Sequence, residues 1–184
     1  MKPDEIKLVY DYNYWANGRI LETCARVSQE QYVAITNYGC LRAAVVHILD
    51  AEYSWLYGFK HYFVPSETIK NSSPQEAKLW EGDTELTEVD LPTLDALNER
   101  WRAEERDMRA YLDSLTEQDM YGLVRYRVPE GFVRERILWH CLLHVVNHGT
   151  QHRSEAAAIL TRYGQSPGEL DFTVYLNNHW PRPI

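Results

Sequence analysis

The stretch HCLLHVVNHGTQHR, residues 140–153, carries His140, His144, His148 and His152, four of the chain's seven histidines, each four residues after the last. On a helix that interval is a little over one turn, so the imidazoles stack along one side. Neutral imidazole is a ligand for zinc, nickel, copper and ferrous iron, and two imidazoles one turn apart can reach the same ion. With Ile137 set at zero and about 100° per residue, Cys141 and Ile159 fall at about 40°, Val145 at about 80° and Leu138 at about 100°. These apolar residues mark the expected buried sector. His148 at about 20° and His152 at about 60° lie inside it, His144 at about 340° sits at its edge, and His140 at about 300° lies further out.

A buried imidazole needs partners for both nitrogens, and two inward rings one turn apart rarely satisfy each other. A metal satisfies both. The third ligand should come from a facing helix, and His47 is the remaining histidine on an expected core stripe, with Ala44, Ile48, Ala51 and Trp55. Three histidines leave a coordination position open, as reactive sites do. The plainer alternative for His47 is an ordinary core histidine with its hydrogen bonds satisfied.

The elements that must position these residues are legible in the apolar periodicity. Ile6, Val9, Tyr10, Leu21 and Cys24 predict a first helix over 4–27, and the His47 stripe a second over 41–59. Ser73, Pro74 and Glu76 form a helix-start signal for a short helix. Asp90 and Pro92 open a third long helix buried through Leu94, Leu97, Trp101, Met108, Leu112 and Leu115. LVRYRV, PEG and FVR, within residues 121–134, read as a β-hairpin. A fourth long helix spans 135–163 and stops at Gly164. A short helix is expected after Asp171. The fold class is therefore all-α, a four-helix bundle with a small hairpin before its last long helix, in one domain over 1–184.

The chain has 184 residues, 45% of them hydrophobic and 25% charged, with a formal net charge of -8 and a pI near 5.4. That acidity argues against nucleic acid or an anionic membrane as the main partner. Three cysteines without a CxxC pair, Cys24, Cys40 and Cys141, make no disulfide framework, and neither a signal-peptide core nor an apolar run of membrane-spanning length is present. A soluble cytoplasmic protein is expected. Trp15, Trp55, Trp101 and Trp139 read as core aromatics, with Tyr53 and Trp55 the best candidates for lining a substrate pocket. ERWRAEERDMR reads as a solvated helix face. Arg153 should form a structural ion pair or a helix-end contact, and Cys141 should be an inert buried thiol.

Four segments, in order, resemble the DinB/YfiT-like superfamily: YNYWANGRIL at 12–21, HILDAEYSWL at 47–56, HVVNHGTQHRSE at 144–155 and GELDFTVYL at 168–176. The resemblance covers nearly the whole chain. It implies an up-down-down-up four-helix bundle, often homodimeric, with a divalent transition metal on His47, His148 and His152. Zinc is the first expectation, with nickel or iron as alternatives. It also implies a small-molecule substrate, with a low-molecular-weight thiol as cosubstrate in some relatives. Many family members read HRGQ where this chain has HRSE, so Ser154 and Glu155 depart from the pattern. Glu155 could hold a hydrogen bond behind a ligand, act as a base, ligate, or merely pair with an arginine, and the last is slightly favoured. His144 and Glu155 are the candidates for a catalytic role. Gly149 stands where a zinc protease of the HExxH type has its glutamate, which argues against peptidase activity. The leading expectation is a metal-dependent thiol transferase or hydrolase. The alternatives are a non-catalytic stress- or DNA-damage-linked metal-binding protein, or a metal sensor or carrier.

Overall fold

The structure, a computed structural model, describes residues 1–37, 39–71, 79–82, 85–128 and 130–179. Helix α1, Pro3–Cys24, begins with proline at its first position, and Glu5 accepts the Lys2 backbone N–H at 2.8 Å. A short α2, Gln29–Val33, leads into a two-residue hairpin, β1 (Ile35–Thr36) and β2 (Gly39–Cys40). Helix α3, Leu41–Tyr62, follows directly, then β3 (Phe63–Val64) and α4 (Ser66–Asn71). Helix α5 is Leu94–Ser114. Its N-cap is Thr93, whose hydroxyl accepts the Ala96 N–H, rather than the expected Asp90, which instead caps the turn at Thr87. Strands β4 (Leu123–Arg127) and β5 (Val133–Ile137) precede α6, Leu138–Arg162, and α7 is Phe172–His179.

The expected hairpin is present, with Arg125 opposite Glu135, and β3 extends it to three antiparallel strands through Phe63 opposite Val124. Residues 135–137 belong to β5 rather than to the last helix, because pairing with Leu123–Arg125 overrides the helix preference of Glu and Arg. Gly164, at φ 74°, ends α6 as expected: its N–H bonds Thr161 O, and the Gln165 N–H reaches back to Leu160 O. The start signal at Ser73, Pro74 and Glu76 and the proline of the PEG turn lie outside the described residues.

Side-chain pairs between the long helices give their directions. Lys7–Asp113 and Asp11–Arg109 make α1 and α5 antiparallel. Arg100 over Tyr53 and Lys60–Asp107 make α3 and α5 parallel. Tyr10 bonds Leu142 O while Asn17 bonds Arg153, so α1 and α6 are parallel. Trp55 against His144 and His47 against His152 make α3 and α6 antiparallel. The bundle therefore runs up-down-down-up, with α1 and α6, α6 and α3, α3 and α5, and α5 and α1 as packed neighbours.

The core is in two halves. One contains Ile6, Tyr10, Leu56, Phe59, Met108, Leu112, Leu138 and Leu142; the other contains Ile20, Leu41, Val45, Leu49, Leu97, Trp101, Ile159 and Leu160. Between them each long helix places polar residues with almost no exposure: Asn13 and Asn17 from α1, Glu52 from α3, Glu104 from α5 and Arg153 from α6. Glu104 is thus a correction to the solvated-face reading of α5. It is 5% exposed and paired with Arg100 at 3.3 Å. Among the described residues, no helix is long and apolar enough to cross a membrane.

Candidate metal centre

His47 comes from the middle of α3, and His148 and His152 from successive turns of α6. Their ring centroids form a near-equilateral triangle with sides of 4.9 Å (47–148), 4.6 Å (47–152) and 4.5 Å (148–152). One potential ligand nitrogen from each ring lies within 4.8 Å of the others, so the three rings could hold a metal ion.

The triad does not sit in the core. His47 is exposed, and His148 and His152 are half-buried. The α3 stripe expected from Ala44, His47, Ile48, Ala51 and Trp55 is rotated from the true one. The buried side of α3 is Leu41, Val45, Val46, Ile48, Leu49, Glu52, Leu56 and Phe59. Large aliphatic side chains take the interior, and the alanines and His47 are left on the rim facing α6. On α6 the buried set adds Leu142, Val146, Gly149 and Arg153, at about 120–180° on the same helical clock. The sector is therefore wider and further round than expected; His148 at about 20° stands at its edge, and the half-buried His152 at about 60° lies just inside that edge. A rim position gives an ion a protein side and a solvent side, which a core position would not.

The surroundings of His47 and His148 favour the neutral, ligating form. Burial and the neighbouring His152 ring hold His47 below the usual imidazole range. Burial, with His152, His47 and His144 close by, pushes His148 down to about 4. His152 Nδ1 lies 2.7 Å from Glu155 Oε2. A carboxylate can only accept there, so Nδ1 carries the proton and Nε2 keeps its lone pair free. Of the options left open for Glu155, the structure shows a hydrogen bond to a candidate ligand. His148 Nδ1 is shut off from solvent with no hydrogen-bond partner among the described residues. An orphaned, buried imidazole nitrogen is a bonding demand that a cation or a trapped water can meet.

A family model for the DinB family matches residues 2–182. The chain belongs to the DinB family. One relative, Protein DinB of Bacillus subtilis (strain 168), is 23% identical over 171 residues, covering 91% of this chain and 91% of the relative. Neither name states a reaction, so the chemistry rests on the site's own atoms.

The other expected site residues divide. His144 is exposed, one turn before His148, with its ring 5.8 Å from that of His148 and 5.4 Å from that of Trp55. Trp55 also meets Trp80 and Tyr126, each at 5.2 Å, forming an aromatic wall on one side of the triad. Tyr53 does not belong to that wall, because it faces α5 beneath Arg100. His140 is exposed and packs on Trp139. Cys141 is buried, and burial pushes its thiol up to about 12, as expected for an inert group.

Arg153 overturns its expectation. It is 2% exposed and forms neither a direct ion pair nor a helix-end contact among the described residues. Its guanidinium donates to Asn13 Oδ1, to Asn17 Oδ1 at 2.8 Å and to Thr150 Oγ1 at 2.7 Å. Asn13 and the Tyr14 hydroxyl in turn donate to Glu52, at 3.4 and 2.6 Å. Gly149 makes this possible: a Cβ there would lie 3.0 Å from Arg153 Nη1 and 3.2 Å from Asn13 Oδ1. The sequence signal was present in Asn13 and Asn17, an i, i+4 pair on the apolar face of α1.

Proposed function

We propose that this protein is a metal-dependent enzyme in which His47, His148 and His152 hold one divalent transition ion, zinc first among the candidates, for transfer of water or a small thiol to a small electrophile. The carrying observation is the convergence of three imidazoles from two helices at a rim that solvent can reach. A divalent ion bound by three imidazoles supplies a Lewis acid with a free coordination position and lowers the pKa of a bound water or thiol.

The chain's own residues have separable parts. Glu155 fixes the His152 tautomer and orientation. Trp55, Trp80 and Tyr126 give one side of the site an apolar boundary suited to the body of an organic substrate. His144 lies between that wall and the triad, where it could exchange a proton with a bound molecule. Its pKa is lowered by burial, so it stands neutral at pH 7 and is available as a base.

Untagged protein should contain about one divalent ion per chain, with nitrogen ligands and at least one non-histidine position by X-ray absorption. His148→Ala and His152→Ala should each lose most of it. Full metal content in both variants would refute the assignment. A fourth protein ligand in place of solvent would favour a carrier or sensor instead.

A further inference from the structure

The β-hairpin beside the aromatic wall sorts its arginines by face. Alternate residues of a strand point to opposite sides of a sheet, and residues directly opposite on paired strands share a side. Tyr126 stands opposite Arg134 and Val124 opposite Arg136, and Trp80 is bridged to Tyr126 from the other edge. Trp80, Tyr126 and Arg134 therefore make one row across the sheet, and Val124 and Arg136 the next, all on one face. Arg125 and Arg127 belong to the other face.

We propose that Arg134 and Arg136 set the substrate class: the molecule that reacts at the histidine rim carries an anionic oxygen group, a carboxylate or a phosphate, which these two guanidiniums hold at the far end of the aromatic wall. This rests on the reading of the triad as a reactive site.

The two faces treat charge differently. Arg125 pairs with Glu135 at 3.2 Å and Arg127 with Glu81 at 2.7 Å. Arg134 and Arg136 are exposed and meet no carboxylate among the described residues. Arg134 lies over the Phe132 ring at 5.7 Å, and Arg136 donates to the Glu135 carbonyl at 2.8 Å. The chain has 27 acidic residues against 19 basic ones, so two adjacent arginines are not left unpaired for want of carboxylates. Guanidinium forks match the oxygens of carboxylates and phosphates.

Their face is the one turned towards the site. Tyr126 packs on Trp55 at 5.2 Å, Trp55 on His144 at 5.4 Å, and His144 on His148 at 5.8 Å. Three ring-to-ring steps thus join the arginine row to the triad. Burial raises the Tyr126 hydroxyl, with Cys141 adding to the rise, and Arg136 and Arg134 oppose it. Both guanidiniums therefore act on the wall itself. A ligand spanning this path needs a reactive end at the histidines, an apolar body against Trp55 and Tyr126, and an anionic end at the hairpin.

The test uses the full ¹⁵N-labelled chain, both zinc-loaded and metal-stripped, with three probes of similar shape: 4-phenylbutanoate, 3-phenylpropylphosphonate and neutral 4-phenylbutanamide. The Trp55 indole N–H, assigned by its loss in Trp55→Phe, reports binding. Each probe is titrated to about 20 mM, where a ligand of Kd near 1 mM saturates. At low ionic strength at least one anionic probe should bind roughly tenfold tighter than the amide, and the better of the two names the group. The Arg134→Gln, Arg136→Gln double variant should remove that preference. Arg125→Gln, Arg127→Gln makes the same charge change on the other face and should keep it. The metal-stripped arm holds even if the triad proves to bind no ion, so failure of the metal reading is seen separately, in the zinc content. Equal binding of all three probes, no saturable binding, or equal loss of preference in the two double variants overturns the proposal. So does a preference confined to zinc-loaded protein, which would put the anion on the ion instead of the arginines.

Discussion

Two polar clusters lie at the same height in this bundle, on either side of the α6 backbone, and they are built on opposite rules. The rim cluster is three imidazoles whose nitrogens face one another, like meeting like. The core cluster alternates: Tyr14 donates to Glu52, Asn13 donates to Glu52 and accepts from Arg153, and Arg153 donates onward to Asn17 and Thr150. Apart from the Asn17 Nδ2 group, which meets no acceptor among the described residues, donors and acceptors in the core cluster are matched, as a structural network requires. Three like groups this close do not satisfy one another, so the rim cluster could hold a metal ion. Adjacent residues of one helix, His152 and Arg153, serve the two ends.

The sharpest way to break this contrast is Arg153→Met. It leaves Asn13, Asn17 and Thr150 without their buried donor and Glu52 without a nearby cation. Stability should fall by about 3 kcal/mol, the scale for removing one member of a buried charged network. His148→Ala in metal-stripped protein removes a half-buried ring with an unsatisfied nitrogen and should cost less than about 1 kcal/mol. Urea denaturation of the two variants checks both, and equal losses would erase the distinction between the clusters.

The clusters should also titrate with opposite sign. Burial raises Glu52 from 4.5 to about 7, with Glu104 and Glu105 adding to the rise. The folded protein thus holds this proton more tightly than the unfolded chain does. The associated stability is full below pH 4.5 and is lost as pH rises to about 7. His148 is lowered from 6.5 to about 4. Its neutral form is favoured by folding, so its contribution is full above pH 6.5 and is lost as pH falls towards 4. In metal-stripped protein the two slopes oppose between pH 4.5 and 6.5. Glu52→Gln should uncover a steeper loss on acidification, and His148→Gln a shallower one. Thermal melts across that window decide it, and the reverse order would contradict both burial assignments.

What the sequence made legible follows the same division. The long helices, the hairpin and the Gly164 stop were readable because each rests on local periodicity or a local cap. The histidine set was readable from i, i+4 spacing plus family resemblance, but its depth was not. His47 shares a helix with Leu41, Val45 and Leu49, and only the approach of α6 and α5 decides which face is rim. The core network was least legible. Glu104 read as part of a solvated face and Arg153 as an ion-pair or helix-end residue, and the partners that let Arg153 be buried stand 140 and 136 residues away on α1.

Gly149 touches both halves of the comparison, sitting between His148 and Arg153. Alanine there gains helix propensity of about 1 kcal/mol. It also places a methyl 3.0 Å from Arg153 Nη1 and 3.2 Å from Asn13 Oδ1, two groups locked to each other and unable to retreat. Overpacking of this kind costs about 1–3 kcal/mol, so Gly149→Ala should be net destabilising by about 1 kcal/mol. A stabilised variant would mean that the network yields more than its hydrogen bonds suggest.

The smallest effect separates the rim's ligands from its neighbours. Glu155→Gln weakens the acceptor that orients His152 and should lower metal affinity by roughly 10-fold or more, as loss of an outer carboxylate does. His144 is also one turn from His148, but its ring packs against Trp55 and lies outside the 4.8 Å cluster of candidate ligand atoms. His144→Ala should therefore change metal affinity by less than about threefold, short of the ~10–100-fold cost of a lost outer-shell partner. It should still lower turnover of any substrate that needs a proton moved beside the aromatic wall. Competition titration against a chromogenic chelator measures both variants in one assay. A His144→Ala loss equal to that of His148→Ala would make His144 a ligand, turning an open triad into a closed four-histidine site and moving the balance from enzyme to carrier.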